Sequence, residues 1–404
     1  MPRRCLIVVF ALVVALGPVY TADAPSTLVV KSDFPGGSAK VEKLDQGARR
    51  IEIVPAGRAE HGWVCWWYFK VEGITPGETL TLDVGNGVWA TPDRAAFSLD
   101  NKTWQHTPPG KRSKGRITYE VKVPATEAWF AWGPRFVLSD ARALLDGWAK
   151  RSPHAKVIEL CKSKAGHSVP ALVVEQEGAK PEDRLGIWVE ARQHAWEAGS
   201  SWVCRGFTDW LLSDDPRAET LRKKARITIV PIMDVDNVER GEGGKNQQPH
   251  DHNRDWSAEP VWPEVRAAQE QIAAMDKQGR FDLFIDLHNP GAGDKQPFFF
   301  VSPPELLTPV RRRNVDSFIE AAKAEMRGPL ALSPKTRPSG ANYDKNWQKI
   351  SKNWVSANTK EHVVAVCLET SWNTPNSIPE NYQRVGKELG LAVERYTREN
   401  VRAK

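Results

Sequence analysis

The sequence predicts a small all-β sandwich followed by an α/β domain with a mixed central sheet and helices on both faces. Three observations carry this. The chain has 404 residues, 41% of them hydrophobic and 26% charged, an ordinary globular composition and too long for one small module. Up to about residue 138, short β-branched and aromatic runs are separated by turn signals. From about residue 140, apolar runs alternate with helical patterns, as in an α/β sheet.

Residues 1–24 come first. Pro2-Arg3-Arg4 is a positive start, residues 5–17 are almost wholly apolar, and Ala22-Asp23-Ala24 is a small-x-small cleavage site. That is the order of a secretory signal peptide. The 13-residue apolar run is shorter than the roughly 20 residues that cross a bilayer. The expectation is cleavage near Ala24 and a secreted or periplasmic mature chain with no membrane span.

Residues 25–138 form the expected sandwich, with strands at 28–30, 50–54, 64–71, 79–84, 116–123 and 128–131. Pro35-Gly36-Gly37, Pro76-Gly77, Gly85-Asn86-Gly87 and Pro108-Pro109-Gly110 punctuate them. Seven of the 17 tryptophans fall here: Trp63, Trp66, Trp67, Trp89, Trp104, Trp129 and Trp132. Packing of a small core is their expected role.

Residues 139–404 form the expected α/β domain. Helices are predicted at 141–150, 200–212, 265–277, 309–326 and 379–401. Strands are predicted at 157–161, 169–175, 185–190, 226–231, 281–287, 298–301 and 362–368. Such sheets place their chemistry at the C-terminal strand ends.

Charge and cysteines narrow the function. Removing Arg3, Arg4 and Asp23 with the leader takes 56 basic and 50 acidic residues to 54 and 49, a mild +5. The positive residues are scattered, with no stripe suited to nucleic acid. Cys65, Cys161, Cys204 and Cys367 remain, without a CxxC pair, so a cysteine zinc site is not expected. Buried thiols and disulfides both stay open.

Four polar groups stand after apolar strands: the 191–197 segment, the 251–256 segment, Asp286-Leu287-His288-Asn289, and Glu369 with its neighbours. His194 and Glu197, three apart, can face one point from a turn. Imidazole nitrogen and carboxylate oxygen both suit zinc, and His288 can supply a third ligand from a neighbouring strand end. Glu369 would sit at a partly desolvated pocket rim, which suits a general base. Arg254, beside Asn253, offers a fork matched to a carboxylate. Trp196, Trp256 and Trp372 lie within three residues of these groups and are expected to wall the pocket.

Together, the ordered set resembles the zinc carboxypeptidase family. His194/Glu197 stand as its HxxE, then come Asn253-Arg254, a strand-end His288 and a strand-end Glu369. Ser200-Ser201-Trp202, Gly206-Phe207 and Trp210-Leu211-Leu212 look similar to the helix after that motif in the cytosolic-carboxypeptidase branch. The 226–233 run before Asp234-Val235-Asp236, the 162–174 run and the aromatic β domain also resemble that branch. The resemblance covers about 140–404 well and 25–138 loosely.

The resemblance implies one zinc ion per chain on His194, Glu197 and His288, and a peptide substrate with a free C-terminal carboxylate. It implies Glu369 as the base that activates water and passes a proton to the leaving amine. It implies Asn253 and Arg254 as the clamp on that carboxylate. The sequence departs from the family in places. The family's HPGE turn is here His194-Ala195-Trp196-Glu197, without Pro or Gly. The arginine that helps hold the oxyanion has no clean match, and Lys245, in a Gly-rich loop, stands nearest its place. Tyr343 is the candidate for the mobile tyrosine. Two other readings fit the same residues: a zinc amide hydrolase acting on N-acyl amino acids or cell-wall peptides, and a catalytically inactive Trp-rich binding protein.

Overall fold

The computed structural model describes residues 26–85, 90–178, 180 and 184–399. The expected leader, Cys5, Trp89 and part of the Gly85-Asn86-Gly87 turn lie outside the described residues. Among those described, no helix is long and apolar enough to cross a membrane.

Alternating apolar residues build the N-terminal part. Its strands are β1 (Val29–Lys31), β2 (Lys40–Asp45), β3 (Arg50–Val54), β4 (Tyr68–Glu72), β5 (Thr79–Gly85), β6 (Ala96–Ser98), β7 (Gln105–His106), β8 (Lys111–Ser113), β9 (Arg116–Lys122) and β10 (Glu127–Ala131). They form two five-stranded sheets, ordered β1-β4-β10-β6-β7 and β2-β3-β5-β9-β8. In β9, Ile117, Tyr119 and Val121 point inward and the residues between them outward, the period of 2 expected of a half-buried strand. Trp67 meets Tyr119 across the two sheets at 6.3 Å between ring centroids. Four strands were not expected. Of these β2, β7 and β8 lie at sheet edges, and the mostly polar β2 and β8 carry no apolar period to read.

The second part begins with α1 (Leu138–Arg151) and continues through β11 (Ala155–Lys162), β12 (Ser168–Val174), β13 (Leu185–Ala191), α2 (Ala198–Leu211), α3 (Pro216–Lys224) and β14 (Ala225–Val230). Then follow α4 (Val235–Arg240), α5 (Pro263–Lys277), β15 (Leu283–His288), β16 (Phe298–Val301), α6 (Pro309–Glu325), β17 (Arg337–Pro338), α7 (Ser351–Asn358), β18 (Val364–Glu369) and α8 (Pro379–Glu399). The eight strands are ordered β11-β12-β14-β13-β15-β18-β16-β17. The centre, β14-β13-β15-β18, is parallel, and β11, β12 and β16 add antiparallel pairs. Every residue of β15 and β18 is buried, so helices cover both faces. The parallel register sets His288 beside Glu369 at the C-terminal end.

The four cysteines are free thiols, Cys161 half-buried and the others buried. Helices α3, α4 and α7 were not expected. All three are short, and α3 is largely charged.

α2 and α8 cross through glycines. A Cβ on Gly206 would lie 2.0 Å from the Gln383 carbonyl oxygen, and one on Gly386 2.0 Å from that of Val203. Main chain must move to accept either. Alanine favours a helix over glycine by about 1 kcal/mol, whereas overpacking costs about 1–3 kcal/mol. Gly386→Ala is expected to lower the unfolding free energy in urea by about 1–2 kcal/mol, at the level of that overpacking cost. Unchanged or raised stability would contradict so close a crossing.

Candidate active site

The site begins where β13 ends. Arg192 has φ of 62°, a left-handed conformation rarely taken by a long side chain. Its buried guanidinium bonds the Ala195 carbonyl through Nε at 2.9 Å and the Phe136 carbonyl at 3.0 Å. Burial brings its pKa down to about 9. This fork folds the 192–195 corner back on itself and holds the turn without the Pro and Gly of the family motif. Glu197 N closes the turn on the His194 carbonyl at 3.1 Å.

The corner aims His194 and Glu197 at the end of β15. His194 Nδ1 lies 2.8 Å from Glu197 Oε1, and His288 Nδ1 lies 2.7 Å from Glu197 Oε2. One carboxylate thus faces both imidazoles, each through a different oxygen. The candidate ligand atoms lie within 4.8 Å of one another. Burial works against ionisation of Glu197, but the two imidazoles outweigh it and hold the carboxyl at about 2.

The far nitrogen of each ring meets a buried aspartate. His288 Nε2 is 2.9 Å from Asp286 Oδ2, and His194 Nε2 is 3.5 Å from Asp251 Oδ1. Asp286 is held by Gln193 at 2.5 Å and by the Ser351 hydroxyl at 2.6 Å. Two histidines and a glutamate are a usual catalytic zinc set. A carboxylate behind a ligating imidazole fixes its tautomer and raises its basicity. These residues fit a zinc ion through Nδ1 of both histidines and the Glu197 carboxylate.

Glu369, at the end of β18, opens on the same cavity of about 110 Å³ as His194, Glu197, Lys245, Asn253, Arg254 and Tyr343. Its Oε2 is buried with no hydrogen-bond partner. Burial, and then the Glu197 charge, push its pKa up to about 7. A carboxyl near neutrality can both take and give a proton at physiological pH.

The expected substrate residues arrive together. Arg254 Nε bonds Asp344 at 2.8 Å, and its Nη1 bonds the Asn253 carbonyl at 2.9 Å. Its ion-pair partner is therefore Asp344, not the nearby Asp251 or Asp255. Asn253 Oδ1 accepts from Ser351 N at 3.0 Å, while its Nδ2 stands 3.2 Å from His288 Nε2, the nitrogen turned to Asp286. Lys245 Nζ stands 3.9 Å from Asp251 Oδ2. Tyr343 is 49% exposed and packs on Phe300 at 4.8 Å. Burial raises its pKa, so the phenol stays neutral.

Of the three tryptophans expected to wall the pocket, one does so directly. Trp196 lines the cavity. Trp256 is fully buried, bonded to Gln193 and packed on Phe284 and Trp354, so it belongs to the core. Trp372 stands behind Trp196 at 6.0 Å, against Trp132 at 4.4 Å. The wall residue not expected is Trp63, from the sandwich.

From sequence, Asp286 is named in a strand-end polar group without being given a role, and Lys352 is not singled out. The DxH spacing that puts Asp286 behind His288 was a usable signal. Lys352, at the start of α7, had none. Its Nζ donates to the Val301 carbonyl at 2.8 Å, Ser339 Oγ at 2.6 Å and Asn353 Oδ1 at 2.7 Å. It lines the cavity, and burial brings its pKa down to about 7. Among the described residues, no carboxylate forms an ion pair with it.

Comparison with known proteins agrees with this geometry. Residues 141–371, more than half of the chain, match the zinc carboxypeptidase family, and residues 30–132 match the cytosolic carboxypeptidase N-terminal domain. The chain belongs to the zinc carboxypeptidase family of peptide hydrolases. Among its relatives, an uncharacterized protein of Zymomonas mobilis is 31% identical over 269 residues, 65% of this chain and 67% of that one. Cytosolic carboxypeptidase 2 of Xenopus tropicalis is 29% identical over 145 residues, 34% of this chain and 15% of that one. The match spans less than half the length of the cytosolic carboxypeptidases. A metallo-carboxypeptidase from Burkholderia cenocepacia shares the fold with a TM-score of 0.80 at 21% identity, over 92% of this chain and 100% of that one. One from Pseudomonas aeruginosa, solved with (2-guanidinoethylmercapto)succinic acid, gives 0.75 at 23% identity, over 92% and 99%.

Proposed function

We propose that this chain hydrolyses the C-terminal peptide bond of peptides, with one zinc ion held by His194, Glu197 and His288. The observation that carries this is Glu369. It is a carboxyl with one oxygen, Oε2, unpartnered, poised near neutral pH in the same cavity as the His-Glu-His set and a fixed guanidinium. When bound, zinc supplies a Lewis acid and a water acidic enough to attack at neutral pH.

The chain's own residues do the rest. Arg254, fixed by Asp344 and with Asn253 beside it, receives the substrate's terminal carboxylate. Glu369 takes the proton of the attacking water and returns it to the departing amine. Lys245 faces the negative charge that develops on the carbonyl oxygen. Tyr343, neutral at the cavity mouth, donates a hydrogen bond from its hydroxyl to the bound peptide and keeps its proton. Asp286 holds the His288 imidazole in its tautomer, and the Asp251 carboxylate stands 3.5 Å from His194 Nε2. The leader pattern of residues 1–24 supports action outside the cytoplasm. N-terminal sequencing of mature protein should then begin near Pro25, and a retained Met1 would refute export by cleavage.

Glu369→Gln keeps the shape and removes the base. It is expected to lower kcat by about 10³-fold, with zinc content unchanged by elemental analysis. Turnover retained in that variant would overturn the mechanism.

Lys352 bears on the terminal residue. In its protonated form, with no carboxylate ion-paired to it, Lys352 attracts an anionic side chain and repels a cationic one. Peptides ending in glutamate are expected to show kcat/KM about 10-fold above those ending in lysine, a difference of about 1.4 kcal/mol. Lys352→Met should erase the difference. Equal rates in the wild type would remove Lys352 as a selector.

A further inference from the structure

The sandwich reaches into the site by one segment, residues 58–63. It meets residues 242–248, the loop that carries Lys245, almost entirely through main chain. Gly244 N donates to the His61 carbonyl at 2.8 Å, Trp63 N to that of Lys245 at 2.8 Å, and Gln248 N to that of Glu60 at 2.9 Å. The Glu242 carboxylate accepts from Arg58 N at 2.7 Å and from Arg58 Nε at 3.3 Å. On its other side the loop binds the zinc-site corner, with Trp196 N donating to the Gly243 carbonyl at 3.1 Å.

The two segments are in near contact. A Cβ on Gly243 would lie 2.0 Å from the Trp63 carbonyl oxygen, and one on Gly62 2.5 Å from that of Lys245. Trp63 also lines the cavity, 6.0 Å from Trp196 between ring centroids.

A lysine head on a flexible four-carbon stem is placed only as well as its main chain is. The nearest carboxylate to Lys245, Asp251, is 3.9 Å away, too far for a tight bond to fix it. Its main chain, by contrast, is tied to the sandwich by these bonds. A misplaced donor loses transition-state stabilisation steeply, because only preorganised charge counts.

We propose that the 58–63 segment is a positioning element of the active site: it locks the 242–248 loop so that the Lys245 ammonium stays in the cavity. The sandwich is then part of the catalytic apparatus rather than a separate appendage. This rests on the reading of Lys245 as the oxyanion-facing cation.

A double-mutant cycle on the full-length zinc enzyme tests it, with kcat and KM for one peptide substrate. Gly243→Ala forces the two segments apart, and Glu242→Ala removes the anchor without adding atoms. Lys245→Gln should lower kcat by about 100-fold. Each loop variant should lower kcat by about 10-fold, with KM little changed and zinc at one per chain, but by less than about 2-fold in the Lys245→Gln background. A loop variant equally harmful in both backgrounds would overturn the coupling while leaving Lys245 in its role. A loop variant without effect would do the same. An unchanged kcat in Lys245→Gln alone would remove that role and the proposal with it. Should Gly243→Ala lose zinc or fold, Glu242→Ala carries the same comparison.

Discussion

The site turns on one carboxylate between two imidazoles. Glu197 faces Nδ1 of His194 with one oxygen and Nδ1 of His288 with the other. All three residues are buried, and isolated buried charge is costly. The arrangement holds only if both rings are fixed from behind and the carboxylate from in front. Asp286 does the first for His288, with Asp251 standing 3.5 Å behind His194; the 192–197 corner and Asn289 N, which donates to Glu197 Oε2 at 3.2 Å, do the second. Parallel pairing of β13 with β15 brings the two halves together, since each ends at the same level of the sheet. The next strand, β18, sets Glu369 beside His288 by the same register.

Around this centre, the cavity is built from separate parts of the chain. The strand ends give the zinc set and the base. The 251–254 segment gives the guanidinium, fixed by Asp344 from a distant loop. The sandwich gives Trp63 and the main-chain bonds to the Lys245 loop. Trp132 of the sandwich packs on both Trp196 and Trp372, so aromatic contacts run from the β domain to the zinc corner. The abundance of tryptophan is thus partly a joint between two domains and partly a cavity wall.

Much of this was legible in the sequence where one residue type had one meaning. Buried parallel strands such as β13 and β15 read as unbroken apolar runs, and the polar residues at their ends stood out against them. His194, Glu197, His288 and Glu369 are found that way. Edge strands β2 and β8 were missed because solvent-facing polar residues leave no period. Trp63 and Trp256 were misplaced because indole suits both a core and a wall, and only the tertiary fold decides. Asp344 was missed because its partner Arg254 lies 90 residues away, and Lys352 because a lone lysine at a helix start carries no signal that it will be buried against a cavity.

The central claim is that Glu197 and the Nδ1 atoms of two histidines surround one metal. The most direct measurement is a crystal structure of the zinc-loaded protein with anomalous scattering collected on both sides of the zinc edge. The account predicts one strong peak per chain, about 2.0–2.2 Å from His194 Nδ1, His288 Nδ1 and the Glu197 carboxylate. A peak at other residues, ligation through Nε2 of either histidine, or no peak in zinc-saturated protein would contradict it.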